Sequence, residues 1–298
     1  MNILSLFDGA GISKYCFEQA GLPVASYYTS EIDKFAIQVA RKNNPEMIEL
    51  GDIRNIKAEN LAQIDFVIGG SPCQGFSFAG KQLNFEDERS KLFFEFVRLV
   101  KECRPKYFLL ENVKMKKEYQ DVISGLLGVR PVEINSALVS AQNRKRLYWT
   151  NIEGISQPKD KYILLKDIIS KGFTEKQKAY CLDANYYKGT SPQAYQEKSR
   201  RQLIQIGVAG TRGNESINRV YSTSGKAPTL STCQGGHREP KIAVNDFIWR
   251  KLTPLECERL QTWPEGYTEG VSNSQRYKML GNGFTAEVVI HILSYLLF

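Results

Sequence analysis

The chain has 298 residues, 42% hydrophobic and 24% charged, the proportions of a globular protein with one large domain or two small ones. Six cysteines with no CxxC pair, and only two histidines, His237 and His291, argue against a zinc site and for reduced thiols; no metal is expected. The first residues lack a signal peptide's basic and apolar regions, and no unbroken apolar run is long enough for a membrane span, so neither secretion nor a membrane is expected. The net charge is +8, and 13 Lys/Arg against 6 Asp/Glu between residues 172 and 253 hold nearly all of it. That stretch reads either as a polyanion-binding module or as a solvated basic surface.

Apolar runs at 3–7, 24–28, 47–50, 65–68, 107–110, 131–135 and 146–150 read as strands. Helical patterns cover 12–20, closed by Gly21, then 35–42 and 92–101. Strands alternating with helices predict a mostly parallel, doubly wound sheet, whose ligands sit beyond the carboxyl ends of the strands. Asp8, Glu31, Asp52, Cys73 and Glu111 all fall at such ends. Beyond residue 170 the pattern weakens into short β-like pieces. Helical order returns at Thr253-Pro254-Leu255-Glu256, a capping box, and the chain closes with an apolar helix over 285–298 that needs the sheet as its partner.

The order strand, Asp8-Gly9-Ala10-Gly11, helix, strand, Glu31 outlines a nucleotide pocket. Glu31 suits ribose hydroxyls. Lys14 stands where the third glycine of GxGxxG belongs, and Asp8 would repel a pyrophosphate, so a nicotinamide cofactor fits poorly. A cofactor with ribose, adenine and a cationic amino-acid end fits better, and S-adenosylmethionine is one. The alternative is a plain glycine turn with a surface glutamate.

Gly69-Gly70-Ser71-Pro72-Cys73-Gln74-Gly75-Phe76-Ser77 leads from a strand into a long loop, 74–91. Such loops are functional lids or linkers. Cys73 at its base is placed to be a nucleophile, or else is a buried structural thiol. Cys16 and Cys257 read as core thiols; Cys103, just past a helix, and Cys181 and Cys233, in the irregular region, have no comparable surroundings. Glu111-Asn112-Val113 suggests a shaped turn beyond a neighbouring strand. Arg144 and Arg146, two apart at a strand start, share a side and can grip an anion or a carbonyl, unless they merely decorate a basic edge.

Along nearly its whole length the chain resembles the DNA (cytosine-5) methyltransferases, nearest to small bacterial and phage members. The resemblance rests on Leu6-Phe7-Asp8-Gly9-Ala10-Gly11, Ser30-Glu31-Ile32, Gly51-Asp52-Ile53, the Pro72-Cys73-Gln74 loop, Glu111-Asn112-Val113, Gln142-Asn143-Arg144-Lys145-Arg146, the segment from Arg250 to Gln261, and Gly281-Asn282-Gly283. Asp8 departs from the alanine of many bacterial members. The resemblance implies an α/β fold: a Rossmann-like S-adenosylmethionine-dependent methyltransferase sheet, from 1–171 plus 254–298, with a smaller irregular target-recognition domain, 172–253. It implies Cys73, Glu111, Arg144 and Arg146 as catalytic residues. It implies Phe7, Asp8, Gly9, Gly11, Ile12, Glu31, Ile32, Asp52, Ile53, Pro72, Leu92, Asn282 and Phe284 around the cofactor. Contacts to double-stranded DNA are expected from Gln74, Arg212, Arg219, Thr229 and Leu230. A monomer in the cytoplasm of a bacterial or phage-infected cell is expected, with a cognate restriction endonuclease as one partner such enzymes can have. A transfer-RNA methyltransferase of the same fold and a catalytically dead DNA-binding paralogue are the competing readings. The large basic region weighs against the first, and the intact Cys73, Glu111, Arg144 and Arg146 against the second.

Overall fold

The computed structural model describes residues 1–71, 88–199, 201–208, 220–221, 241–242 and 247–297. Seven strands form one sheet: β1 Asn2–Leu6, β2 Ser26–Ser30, β3 Ile48–Glu49, β4 Phe66–Gly69, β5 Tyr107–Val113, β6 Val132–Asn135 and β7 Lys145–Thr150. Their order is β3-β2-β1-β4-β5-β7-β6. The pairings from β3 to β5 are parallel, and β7 runs antiparallel to both β5 and β6. Only a short connection joins β6 to β7, too short for the crossover that a parallel pair needs.

Period-two alternation sends neighbouring residues to opposite faces, and both faces are covered, so the strands read as continuous apolar runs. On one face Ile3, Ile68, Leu109 and Tyr148 pack with Phe17 of α1 (Ile12–Gln19), Val39 of α2 (Lys34–Asn43) and other buried side chains. On the other, Leu4, Val67, Leu110 and Trp149 pack with Phe93 and Phe96 of α3 (Glu88–Cys103) and Ile123 of α4 (Lys117–Leu127). Asp33 caps α2 by accepting from the Phe35 and Ala36 amides, and Arg41 and Lys42 suit its carboxyl end.

One helix boundary differs from the sequence reading, and one helix was not expected. Helix α3 begins at Glu88 rather than 92 and runs through Cys103, which is therefore helical. Helix α4 carries no signal at its start: Lys116 stands at the N-cap without a side-chain cap bond.

The rest of the chain adds α5 (Leu165–Ile168), α6 (Pro192–Lys198), the antiparallel pair β8 (Leu203–Val208) and β11 (Phe247–Lys251), the short pair β9 (Val220–Tyr221) and β10 (Lys241–Ile242), and α7 (Pro254–Gln261). The capping box forms at α7, with Thr253 Oγ1 accepting from the Glu256 amide and the Glu256 carboxylate accepting from the Thr253 amide. Asn273–Leu297 is long and apolar enough by composition to cross a membrane, unlike the run-length reading. Half of it is buried in the fold, broken into α8 (Asn273–Asn282) and α9 (Ala286–Ser294), and Val288, Val289, Ile292 and Leu293 of α9 sit in the core.

Part of the basic region is fused to the sheet domain. Ala179, Leu182 and Tyr186 belong to the core cluster, and the Ala179 backbone is bonded on both sides, to Ala141 and Asn143.

Candidate active site

The carboxyl ends of β1, β2, β4 and β5 open into one cavity of about 860 Å³. Phe7, just past β1, holds a left-handed φ of 56°, and Gly9 and Gly11 follow at 60° and 78°. A Cβ on Gly11 would stand 2.5 Å from Asn44 Nδ2, so the turn needs glycine there. Gly11 thus packs against α2 behind the cavity rather than on its wall.

Glu31 is fixed by the turn it faces. Its Oε2 accepts from the Gly9 amide at 2.9 Å, and its Oε1 from the Ile32 and Asp33 amides at 2.7 and 2.8 Å. Asp52 is held by Arg54, whose hydrogen bonds keep the carboxyl below its usual range. Phe7, Asp8, Gly9, Ile12, Glu31, Ile32, Asp52, Ile53, Leu92, Asn282 and Phe284 all line the cavity. Asp8 is 5% exposed. Its Oδ1 accepts from Ser5 Oγ and Tyr27 Oη, both at 2.6 Å, while its buried Oδ2 has no partner among the described residues. Burial raises its carboxyl to about 6, against the Ser5 and Tyr27 bonds. An unpaired acid beside an anchored glutamate fits the cationic amino-acid end and ribose of S-adenosylmethionine.

The other end of the cavity holds the paired charges. Glu111 on β5 faces Tyr148 of β7, and Val113 faces Arg146. Arg146 Nε lies 3.0 Å from Glu111 Oε1, and Glu111 is 7% exposed. The cavity also meets Gly70 and Ser71 at the end of β4. Asn112 Nδ2 donates to Ser71 Oγ at 3.2 Å, tying the β5 end to the segment leading into Cys73. A Cβ on Gly70 would press within 3.3 Å of Glu111 Oε2 and Phe284.

Arg144 and Arg146 do share a side, since both reach Cys181 Sγ. Arg144 is buried and donates to the carbonyls of Leu182, Gly281 and Gly283, pinning the start of β7 to the end of α8. Sequence reasoning missed Cys181, Lys91, Trp263 and Lys278 on the cavity wall. It left Cys181 in the irregular region without partners; the structure puts it against the arginine pair. Gln142 was the available signal: its Oε1 accepts from the Leu182 amide, joining the arginine motif to this segment. Pro72, Cys73, Gln74, Arg212, Arg219, Thr229 and Leu230 lie outside the described residues.

The profile of C-5 cytosine-specific DNA methylases matches residues 1–122 and 136–297. Type II methyltransferase M.HhaI of Haemophilus parahaemolyticus is 30% identical over 99% of this chain and 93% of its own length. Type II methyltransferase M.Bsp6I of a Bacillus strain is 31% identical over 98% of this chain and 97% of its own. Orphan methyltransferase M.SPBetaI of Bacillus phage SPbeta is 27% identical over 100% of this chain and 97% of its own. The fold matches that of the Entamoeba histolytica methyltransferase EhMeth with a TM-score of 0.71, at 15% identity and covering 99% and 97% of the two chains. It matches S. pombe Dnmt2 with a TM-score of 0.64, at 15% identity, over 100% and 97%. The chain belongs to the C-5 cytosine-specific DNA methylase family and is an S-adenosylmethionine-dependent enzyme that methylates cytosine in DNA.

Proposed function

We propose that the enzyme methylates C5 of a cytosine flipped out of duplex DNA, through a covalent bond between Cys73 and C6. The observation that supports this most is the Glu111–Arg146 pair at 3.0 Å, at one end of the cavity whose other end holds Asp8 and Glu31. A base inside a duplex cannot enter such a cavity, so it must leave the stack. Cys73 follows Ser71, which lines this pocket, by two residues in the sequence. Its thiolate adds to C6, because C5 is not nucleophilic until C6 is attacked. Glu111 holds or protonates N3, and the Arg146 guanidinium donates to O2, so both stabilise the charge that builds on the ring. Arg144, expected to act on O2 with Arg146, has its donors directed at the Gly281 and Gly283 carbonyls, and in this reading it fixes the start of the strand that carries Arg146. S-adenosylmethionine supplies the electrophilic methyl group. Loss of the C5 proton to water then expels Cys73.

In this reading Phe7, Asp8, Gly9, Ile12, Glu31, Ile32, Asp52, Ile53, Pro72, Leu92, Asn282 and Phe284 surround the cofactor, and Gly11 shapes the turn behind them. Residues 1–171 plus 254–298 form the catalytic domain. The basic region 172–253 recognises the target, with Arg212, Arg219, Thr229, Leu230 and Gln74 at the DNA. The enzyme acts as a monomer in the cytoplasm. A cognate restriction endonuclease as partner agrees with the type II names of its relatives.

A duplex carrying 5-fluorocytosine at the target tests the chemistry. Fluorine cannot leave C5 as a cation, so the adduct persists. The wild-type enzyme should migrate as a denaturation-resistant complex that requires S-adenosylmethionine. Cys73→Ser should form none, and Cys233→Ser should still form it. A full yield from Cys73→Ser would sink the assignment.

A further inference from the structure

Two guanidinium groups meet one carboxylate at the cytosine end of the cavity. Arg144 is 2% exposed and, among the described residues, pairs with no carboxylate; its Nε has no hydrogen-bond partner. Carbonyl oxygens take most of its donors, at 3.0–3.3 Å. A buried cation without an anion is costly. The atom placed to answer it is Cys181 Sγ, 3.5 Å from Arg144 Nη1 and 3.7 Å from Arg146 Nη2. Arg146 is then held at three points: Glu111 at Nε, the Lys145 carbonyl at Nη1 (2.9 Å) and Cys181 at Nη2. A neutral thiol can share the Leu182 carbonyl with Arg144, since a carbonyl has two lone pairs, but it brings no charge to answer the guanidinium. A thiolate accepts from both guanidiniums and leaves that carbonyl to Arg144.

We propose that Cys181 is a positioning residue for methyl transfer: as a thiolate it balances the second guanidinium and holds Arg146 beside Glu111. This rests on the reading of Arg146 as the donor to cytosine O2. Cys181 lines the cavity and is only partly buried. Burial pushes its thiol up, but Arg144 and Arg146 outweigh burial and bring it below the ordinary value. Burial pushes the thiols of Cys16, Cys103 and Cys257 up.

Two measurements test the proposal. The first is alkylation by iodoacetamide of the Cys73→Ser protein at pH 7, followed by peptide mass mapping. The Sγ–C bond forms as iodide leaves, and the thiolate is the attacking species. Cys181 should react about fivefold or more faster than the partly buried Cys103, the lower nucleophilicity of a stabilised thiolate offsetting part of its larger population. Labelling no faster than that of Cys103 overturns the thiolate.

The second compares single-turnover methyl transfer in Cys181→Ser and Cys181→Asp. Serine keeps the hydrogen-bonding shape without the charge and should slow transfer about tenfold, with S-adenosylmethionine and DNA affinities within about twofold of wild type. Aspartate restores the anion and should recover the rate to within about threefold of wild type. A wild-type rate in Cys181→Ser, or aspartate no better than serine, overturns the positioning role. So does an equal loss of cofactor binding and melting temperature in both variants, which marks a structural thiol. Fast alkylation of Cys181 together with a failed 5-fluorocytosine trap in the wild-type enzyme would break the mechanism and spare the thiolate.

Discussion

Replacing Asp8 with asparagine should stabilise the ligand-free enzyme at pH 8 while weakening its hold on S-adenosylmethionine. Asp8 is 5% exposed, with two hydrogen bonds on Oδ1 and, among the described residues, none on Oδ2. Burial raises its carboxyl from 3.8 to about 6; the Ser5 and Tyr27 bonds oppose this, and the nearby Glu31 charge adds to it. The folded protein therefore keeps this proton to higher pH than the unfolded chain does. The stability it contributes is full below about pH 3.8 and is lost as pH rises to about 6. A rise of roughly two pH units corresponds to about 3 kcal/mol. Asparagine accepts the same two bonds on its amide oxygen and has no charge to bury. Urea denaturation from pH 4 to pH 8 should find Asp8→Asn more stable than wild type at pH 8 by up to about 3 kcal/mol. At pH 4 the two should agree within about 1 kcal/mol. Calorimetry at pH 8 should show S-adenosylmethionine affinity falling about tenfold or more, because the carboxylate proposed to answer its cationic end is gone. A variant less stable than wild type at pH 8, or a difference of equal size at both pH values, would refute the reasoning.

Three further substitutions probe the site and the packing around it. Glu31→Ala removes the acceptor of three backbone amides and the one proposed for the ribose; cofactor affinity should fall by about 1.5–3 kcal/mol, roughly 10- to 150-fold. Wild-type affinity by calorimetry in a folded variant would remove Glu31 from the pocket. Gly281→Ala would drive a Cβ into the Asp183 and Ala184 backbone, and thermal melts should show about 1–3 kcal/mol of destabilisation; an unchanged melting temperature contradicts the close packing. Glu256 is fully buried and accepts from Arg250, the Ser170 amide and the Thr253 amide, joining both ends of the basic region. Burial raises its carboxyl, but these bonds outweigh it and hold it below the usual range, so its contribution is present above the ordinary carboxyl value and lost as pH falls through the lowered one. Glu256→Ala should cost about 3–5 kcal/mol in urea denaturation at pH 7, and a loss under about 1 kcal/mol would deny the clamp.

The strand ends that carry Asp8, Glu31 and Asp52 were legible in the sequence, because apolar periodicity, turn glycines and caps are written within a few residues of one another; Glu111-Asn112-Val113, read as a turn beyond the strand, instead continues β5 in pairing with β7. So was the shared side of Arg144 and Arg146, which needs only the two-residue period of a strand. The direction of β7 was not, since pairing is a choice among strands rather than a property of one. Helix α4 was missed because its start lacks a capping side chain and its stability comes from Ile123 packing under the sheet. Cys181 looked like any polar-region cysteine, because the charges that distinguish it lie 35 and 37 positions away. Arg144 looked like a free grip, yet its donors meet carbonyls 137 and 139 positions further on. Local conformation follows from neighbours in the chain. The partner of a buried charge follows from which elements the sheet order stacks together, and that is decided only when the whole chain has packed.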